Sequence, residues 1–385
     1  MSARAYIQDF SVACAAGADA DAVARAVFSD APPKLHTTAS LVDGRTTTVG
    51  PLGFEPGSRE AARTRSNRLV GHLLDPLRTT IQQRLATHSA DRLGVVIGTS
   101  TAGMFEGETA LAARKRVGAW AADFSFRDQE LSDPANFVAA AVGARGPVYV
   151  ISTACTSGGK AIAAAARLLA AQLCDTVICG GVDTLCDLTL NGFSALESLS
   201  ETVCNPFSRN RRGINIGEGG ALYVLTRDGG PFALLGAGES SDAHHISAPE
   251  PTGAGAEVAI RRALLRAGDA AADIDFIHLH GTATRLNDQA ESAAIHRVFG
   301  DDTPASSTKP LTGHTLGAAG AIQTAICLLA LRDGVLPPHL WDGERDPDLP
   351  HIRLAEIAER ADVRRVLSAN YAFGGNNIAL VLAAA

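Results

Sequence analysis

Of the seven cysteines in this chain, Cys155 is the one placed for chemistry. It stands in Ser152-Thr153-Ala154-Cys155-Thr156-Ser157-Gly158-Gly159, after an apolar run and before a long stretch of small residues. A thiol at such a strand–turn–helix junction meets unpaired amides and the positive end of a helix dipole, which favour thiolate. This is the context of a nucleophile elbow, without the G-x-S-x-G spacing. Cys174, Cys179, Cys186 and Cys327 fall inside helical or strand runs, where a buried structural thiol is the simpler reading. Two histidines can serve the nucleophile. His280 closes the apolar run Ile274–Leu279 and opens Gly281-Thr282-Ala283-Thr284; His314 follows Gly313 in Ser307-Thr308-Lys309-Pro310-Leu311-Thr312-Gly313-His314. Both sit at element ends beside glycine, where a side chain can face a cavity. Arginine supplies nearly all of the basic residues, and after Lys160 only Lys309 is lysine. That choice singles Lys309 out.

The elements that would position these residues alternate along the chain. Strand-like runs fall at Leu93–Ile97, Val148–Ile151, Thr176–Cys179, Ala221–Leu225, Phe232–Leu235, Ile274–Leu279, Val366–Ala369 and Ile378–Leu382. Helical patterns lie near residues 60–87, 134–142, 157–172, 254–267, 288–298 and 317–331. Several strands are apolar throughout, so helices should cover both faces of the sheet, giving a layered α/β fold. No Pro-rich, Ser-rich or charged linker divides the chain. A faint repeat does: Ala161-Ile162 followed by Leu168-Leu169-Ala170 returns as Ala321-Ile322 followed by Leu328-Leu329-Ala330. Each copy starts a small-residue helix after a reactive side chain, Cys155 or His314. Two related halves would then bring their helix N-termini to one site, packed closely through Gly158, Gly159, Gly317 and Gly320.

Composition narrows the class. At 385 residues the chain has room for two or three domains at roughly one per ~150 residues. With 46% hydrophobic and 19% charged residues it can bury a core, which excludes disorder, collagen and coiled coil. No unbroken apolar run reaches the ~18 residues of a membrane span. Gln8 and Asp9 interrupt any signal-peptide core. A net charge of −7 argues against nucleic-acid or membrane-surface partners. The cysteines are odd in number, scattered and free of C-x-x-C, so reduced thiols in a cytoplasmic protein are expected. Three rivals remain. His278, His280, Asp288 and the His244-His245 pair could mimic a zinc site, with His278 and His280 on one strand face. Gly217-Glu218-Gly219-Gly220 and Gly236-Ala237-Gly238 hint at a nucleotide-binding oxidoreductase, but none has the G-x-G-x-x-G form and turns or close packing explain them better. A non-catalytic scaffold subunit is the third.

The cysteine segment, His280-Gly281-Thr282-Ala283-Thr284, Thr308-Lys309 with Gly313-His314, and Ala372-Phe373-Gly374-Gly375 together resemble the β-ketoacyl-acyl-carrier-protein synthases, over nearly the whole chain. The stretches Cys179–Leu185 and Leu190–Phe193 look most like ketosynthases of aryl polyene and similar type II polyene clusters. The resemblance implies a thiolase fold, five layers (α-β-α-β-α) from two similar halves, here 1–228 and 229–385. It implies decarboxylative Claisen condensation of an acyl thioester on Cys155 with a malonyl group. His280 and His314 would promote decarboxylation, Lys309 with Glu291 would tune the site, and the amides of Cys155 and Phe373 would form the oxyanion hole. Phe373 would gate the acyl tunnel; Thr282, Thr284, Gly374 and Gly375 would bind substrate. No cofactor or metal is expected to be bound, phosphopantetheine arriving on an acyl carrier protein. The dimer partner would be a chain-length-factor-like subunit, the alternative being a homodimer elongating saturated fatty acyl chains.

The same resemblance excludes relatives. A degradative thiolase needs a second cysteine near its C-terminus, initiating synthases use Cys-His-Asn, and a chain-length factor lacks the cysteine. Departures from the common pattern are Asn210-Arg211-Arg212-Gly213-Ile214 where elongation synthases carry Asp-Arg-Asp-Gly-Phe, Ala372 for glycine and Asn376 for threonine. Carrier proteins are acidic, so an acidic enzyme needs a local basic patch to dock them. Arg59, Arg63, Arg65 and Arg68 form one candidate, and Arg209, Arg211 and Arg212 another.

Overall fold

The computed structural model describes residues 5–29, 34–58 and 62–385. Its strands are β1 (Ala5–Cys14), β2 (Thr37–Ser40), β3 (Thr46–Val49), β4 (Leu93–Gly98), β5 (Val148–Ile151), β6 (Thr176–Asp183), β7 (Gly219–Thr226), β8 (Phe232–Ser241), β9 (Phe276–His278), β10 (Ala305–Ser306), β11 (Arg365–Tyr371) and β12 (Asn376–Ala384). β2 and β3 form a hairpin apart, and the others join in the order β10-β9-β11-β12-β8-β1-β7-β6-β4-β5. That order contains the same motif twice. In chain order the first five strands of the sheet are β1, β4, β5, β6 and β7, and the second five are β8 to β12. Each set lies third-second-fourth-fifth-first, with the same two parallel and two antiparallel pairings. The two sets meet through three residue pairs of β1 and β8, Ala5↔Leu234, Tyr6↔Ala233 and Ile7↔Phe232.

β4, β6 and β7 are buried at every residue, as their apolar central runs require. Helices Arg65–Leu74 and Asp133–Val142 cover the outer face of the first set; Ala254–Ala267 and Arg285–Phe299 cover the second. Helices Ser157–Ala170 and Ala319–Asp333 lie between the sets and against each other, the former touching β4, β6 and β12, the latter β6, β7, β11 and β12. The architecture is the five-layered α-β-α-β-α arrangement of the thiolase fold. The repeated Ala-Ile and Leu-Leu-Ala positions fall on these two central helices. Leu316–Asp333 is, among the described residues, the one segment long and apolar enough to cross a membrane, at mean hydropathy 1.3, but 89% of it is buried in the protein interior.

Some elements differ from those expected. The pattern over 60–87 divides at Pro76 into Arg65–Leu74, a 3-10 turn Asp75–Leu77 and Arg78–Thr87, because proline lacks the N–H that would continue the helix. β1 carried no clear signal: a register shift between Ile7 and Asp9 breaks its alternation. Helix Met104–Val117 was also missed; it buries only Gly107, so its sequence has no apolar stripe.

The central helices touch backbone to backbone. A Cβ on Gly158 would lie 2.9 Å from the amide nitrogen of Ala321, and one on Gly320 2.7 Å from that of Gly159 and 2.9 Å from Asn370 Oδ1. Gly320→Ala should therefore force the helices apart and cost about 1–3 kcal/mol in urea unfolding. Gly71→Ala, whose new methyl would meet Phe137 at an ordinary 3.9 Å, should raise stability by up to ~1 kcal/mol through helix propensity. Equal effects at both positions would contradict this account of the central layer.

Candidate active site

Cys155 follows β5 on a sharp turn. Ala154 adopts a left-handed conformation at φ 51°, and the helix begins at Ser157. Side chains fasten the turn. The Ser157 hydroxyl donates to Ala154 O at 2.6 Å and accepts from the Thr153 amide at 2.9 Å, while the Thr156 hydroxyl donates to Thr153 O at 2.7 Å. The second half supplies the rest. His280 lies just beyond β9, and His314 is drawn in by its amide, which donates to Asn215 O at 2.6 Å. Gly217 must be glycine there, since a Cβ would sit 2.3 Å from Thr312 O.

His314 Nε2 lies 3.0 Å from Cys155 Sγ, and the His280 and His314 rings stand nearly perpendicular with centroids 5.1 Å apart. One donor atom from each of the three falls within 4.8 Å of the others, all three residues being buried. Burial is the dominant electrostatic fact. It pushes the Cys155 thiol up to about 12, against the lowering pull of Lys309. The backbone amides of Cys155 and Phe373 also pull the thiol toward its charged form. Burial also holds both imidazoles well below their ordinary range, helped by the positive charge of Lys309. The resting site is a neutral thiol beside two neutral imidazoles. This corrects the expectation that the helix terminus alone would favour thiolate; desolvation outweighs it.

Lys309 and Glu291 form no direct ion pair. They grip the peptide of His280 from opposite sides. The Lys309 ammonium donates to His280 O, while Glu291 accepts the His280 amide at 2.6 Å and the Gly281 amide at 2.7 Å. Burial lowers the affinity of the lysine for its proton and raises that of the carboxylate. Gln323 completes the support. Its amide nitrogen donates to Leu279 O at 3.1 Å and Ala369 O at 3.2 Å, which turns its oxygen to accept from Asn370 Nδ2 at 2.6 Å. Asn370 Nδ2 also lies 3.4 Å from His280 Nδ1, so that nitrogen is the acceptor and the proton resides on Nε2. His314 Nδ1 has no hydrogen-bond partner among the described residues, so its tautomer is free to change.

These groups form the floor of a cavity of 380 Å³ whose walls include Thr282, Thr284, Phe193 and Phe373. The Phe193 and Phe373 rings are 5.5 Å apart. Gly374 and Gly375 do not line it. With φ of 82° and 74° they make the turn behind Phe373, stitched to the neighbouring loop by Gly374 N–H to Ile246 O and Asp242 N–H to Gly375 O, both 2.8 Å.

The arginines divide. Arg65 is bound to Glu218 at 2.7 Å and Glu55 at 2.8 Å, Arg68 is buried 3.5 Å from Glu55, and Arg211 is buried between Asp346 and, at 3.9 Å, Asp288. Those three hold the fold together and offer little to a docking partner. Arg63 is exposed but paired with Asp128 at 2.8 Å, Arg209 with Glu344 at 2.5 Å, and Arg212 is exposed with no ion pair among the described residues. Arg59 lies outside the described residues.

Sequence reasoning missed Gln323, Asn370 and Asp183. Asp183, fully buried, accepts from the hydroxyls of Thr99 and Thr101 and from the amide of Gly317 at 2.6 Å, tying the segment after His314 to β4 and β6. A lone acid ending an apolar strand was the available signal. The zinc set does not assemble: His278 turns away to Thr308 Oγ1 at 3.1 Å and to Gln323 at 3.0 Å. Gly236 and Gly238 are close-packing positions, where a Cβ would lie 2.2 Å from Ala263 O and 2.0 Å from Ala259 O.

A duplicated five-layered fold that brings a cysteine and two histidines to one cavity defines a condensing enzyme of the thiolase type. Residues 78–229 match the N-terminal domain of the β-ketoacyl synthases and residues 232–341 the C-terminal domain, and the chain belongs to that family as a ketosynthase. A chain of the solved complex of the ketosynthase ApeO with its chain length factor ApeC, from Xenorhabdus doucetiae, is 40% identical with a TM-score of 0.95, over 99% of this chain and 98% of that one. Nodulation protein E of Rhizobium meliloti is 35% identical over 304 residues, 76% of this chain and 75% of the relative. The ketoacyl synthase alpha subunit of the tetracenomycin polyketide synthase of Streptomyces glaucescens is 36% identical over 324 residues, 77% and 76%.

A raised thiol pKa makes a signed prediction. At any pH below about 12 the thiolate fraction is smaller than for a free thiol, so alkylation of Cys155 by iodoacetamide should still rise about tenfold per pH unit between pH ~9 and ~10.5, where a free cysteine, half ionised at ~8.5, flattens out. A midpoint near or below pH ~8.5, read by mass spectrometry of the labelled peptide, would show that burial does not dominate.

Proposed function

We propose that this ketosynthase loads an acyl chain on Cys155 and extends it with a malonyl group by decarboxylative Claisen condensation. The observation that carries the reading is the convergence of Cys155, His280 and His314 on one cavity floor, with Sγ 3.0 Å from an imidazole nitrogen. His314 Nε2 takes the thiol proton as Sγ attacks the acyl thioester, and returns it to the departing pantetheine thiolate. The oxyanion formed meets the amides of Cys155 and Phe373. The malonyl thioester then enters, its carbonyl oxygen between the two imidazoles. Loss of carbon dioxide leaves an enolate held by the Nε2–H of His280 and of His314. The second bond needs the other tautomer of His314, which its unpartnered Nδ1 permits. The enolate attacks the thioester on Cys155, the carbon–carbon bond forms, the sulfur leaves, and a proton from solvent restores the thiol. Lys309 and Glu291 act here as positioning residues for His280.

Substrates would arrive on the phosphopantetheine arm of an acyl carrier protein, with no resident cofactor, and the exposed Arg63, Arg209 and Arg212 are the remaining candidates of the docking patch. We further infer that 1–228 and 229–385 act as two halves, and that the chain works in the cytoplasm, in keeping with seven unpaired cysteines. The pathway proposed is polyene or polyketide synthesis with a chain-length-factor-like partner. Support comes from the ApeO–ApeC complex and from surface chemistry. β5 is an edge strand of the sheet, and Leu111, Phe126 and Leu188 are exposed on helix Met104–Val117 and on the two elements packed against it, the 3-10 turn Phe126–Gln129 and helix Asp187–Ala195.

Cys155→Ala should abolish acyl loading while unfolding at the same urea concentration as wild type. His280→Ala should still load Cys155 yet lose malonyl decarboxylation by about 10²–10³-fold, the effect of one missing donor to an oxyanion. Acyl transfer to the Cys155→Ala protein, or normal condensation by His280→Ala, would reject these roles.

Expressed alone, the chain should be poorly active until mixed with a cysteine-lacking homologous subunit, then prefer conjugated acyl-carrier substrates. A fully active homodimer that elongates saturated chains faster would replace the polyene reading with fatty acid elongation.

A further inference from the structure

The two amides that would meet the oxyanion belong to different sets of strands. Cys155 follows β5 of the first set, and Phe373 lies between β11 and β12 of the second. Their separation is therefore only as fixed as the contact between the sets. A side-chain bond crosses at this point: Lys160 Nζ donates to Asn376 Oδ1 at 2.7 Å. Each end is tied closely to one of the amides. Lys160 stands in the first turn of the nucleophile helix, its N–H bonded at 2.9 Å to the carbonyl of Thr156, the residue after Cys155. Asn376 closes the turn that carries Phe373, its carbonyl accepting the Ala372 amide at 2.8 Å. Neither Lys160 nor Asn376 lines the cavity, so neither touches the reacting atoms.

The residue types suit the task. Among the four lysines, Lys34 and Lys115 are exposed and Lys309 grips His280, which leaves Lys160 to be explained. Its side chain is 12% exposed, with Glu239 3.7 Å away and shared with Arg167. A compact ammonium can aim one N–H at an amide oxygen in so small a space, whereas a planar guanidinium forks toward a carboxylate. Burial lowers the affinity of the ammonium for its proton, and Glu239 restores part of it. Asn376 is one of the departures from the common pattern, and its acceptor reaches one bond farther than a threonine hydroxyl. We propose that Lys160 and Asn376 are a positioning pair, a latch that fixes the Phe373 amide relative to the Cys155 amide and so sets the geometry of the oxyanion hole. The inference deepens the ketosynthase reading and rests on it.

The test compares two reactions of Cys155. Loading from an acyl carrier protein passes through an oxyanion; alkylation by iodoacetamide does not. Lys160→Met keeps the length and removes the donor. It should lower kcat for loading about tenfold, less than the loss of a whole oxyanion donor, with KM little changed. Alkylation of Cys155, read by mass spectrometry of its peptide, should proceed at the wild-type rate. Asn376→Ala should behave alike, and the double variant should load no more slowly than the slower single, as expected of one shared interaction. Asn376→Asp keeps the acceptor and should load at close to the wild-type rate. Should Lys160→Met not fold, the two Asn376 variants carry the comparison alone. Normal loading by Asn376→Ala, alkylation that falls in step with loading, or independent effects in the double variant would overturn the latch. Failure of the wild type to load Cys155 from any carrier is a different result, and would overturn the ketosynthase reading itself.

Discussion

A thiol and two imidazoles are buried within reach of one ammonium, and much of the structure serves that arrangement. Desolvation makes the charged forms of Cys155, His280 and His314 expensive, and the positive charge of Lys309 raises the cost for the imidazoles further. The cluster is therefore neutral at rest. Neutral imidazoles suit the chemistry: each can offer an N–H to a developing enolate oxygen, and His314 can first accept the thiol proton, which an imidazolium could not. A charge appears only when substrate brings one, in a site already lined with donors that need not reorganise.

Neutral groups of this kind must be aimed, because no strong ion pair holds them. His280 is aimed through its own peptide. Glu291 holds the N–H and Lys309 the carbonyl, while Gln323 and Asn370 fix the ring proton. The conjugate charges of Lys309 and Glu291 are thereby used on backbone, at a distance from the reacting atoms. Apart from its contact with the thiol, His314 is aimed by its backbone, and it keeps a free Nδ1, which fits a group that must accept a proton in one half-reaction and donate in the other. The asymmetry between the histidines follows from what surrounds them.

The reactive residues were legible in the chain because function put them at junctions. Cys155 ends a strand and begins a helix, His280 and His314 stand beside glycines, and Lys309 is a lysine among arginines. Their supports were not legible. Asn370 lies inside β11 and Gln323 inside a buried helix, where an amide in an apolar run reads as an irregularity; only the fold brings each to a histidine. The arginine clusters misled for a related reason. Arg65, Arg68 and Arg211 find their carboxylates at Glu218, Glu55 and Asp346, and all but Glu55 are remote in sequence. Depth misled as well: a helix terminus can be read from sequence, but the loss of water around Cys155 cannot.

Duplication explains how one chain builds such a site. Each set of five strands delivers one reactive loop ahead of a central helix, Cys155 from the first and His314 from the second. Alone, either helix would expose its small-residue face. Packed together at glycine distance they bury both faces and bring the two loops to the same end of the central layer, where Sγ and Nε2 meet at 3.0 Å. A wider helix separation would leave the fold's layers in place and move thiol and imidazole out of contact. Close glycine packing is thus a catalytic constraint as much as a structural one. It also accounts for Asp183, a fully buried acid whose position is otherwise costly: by accepting the amide of Gly317 and the hydroxyls beyond β4, it pins the second loop to the first half at the point where the two must stay in register.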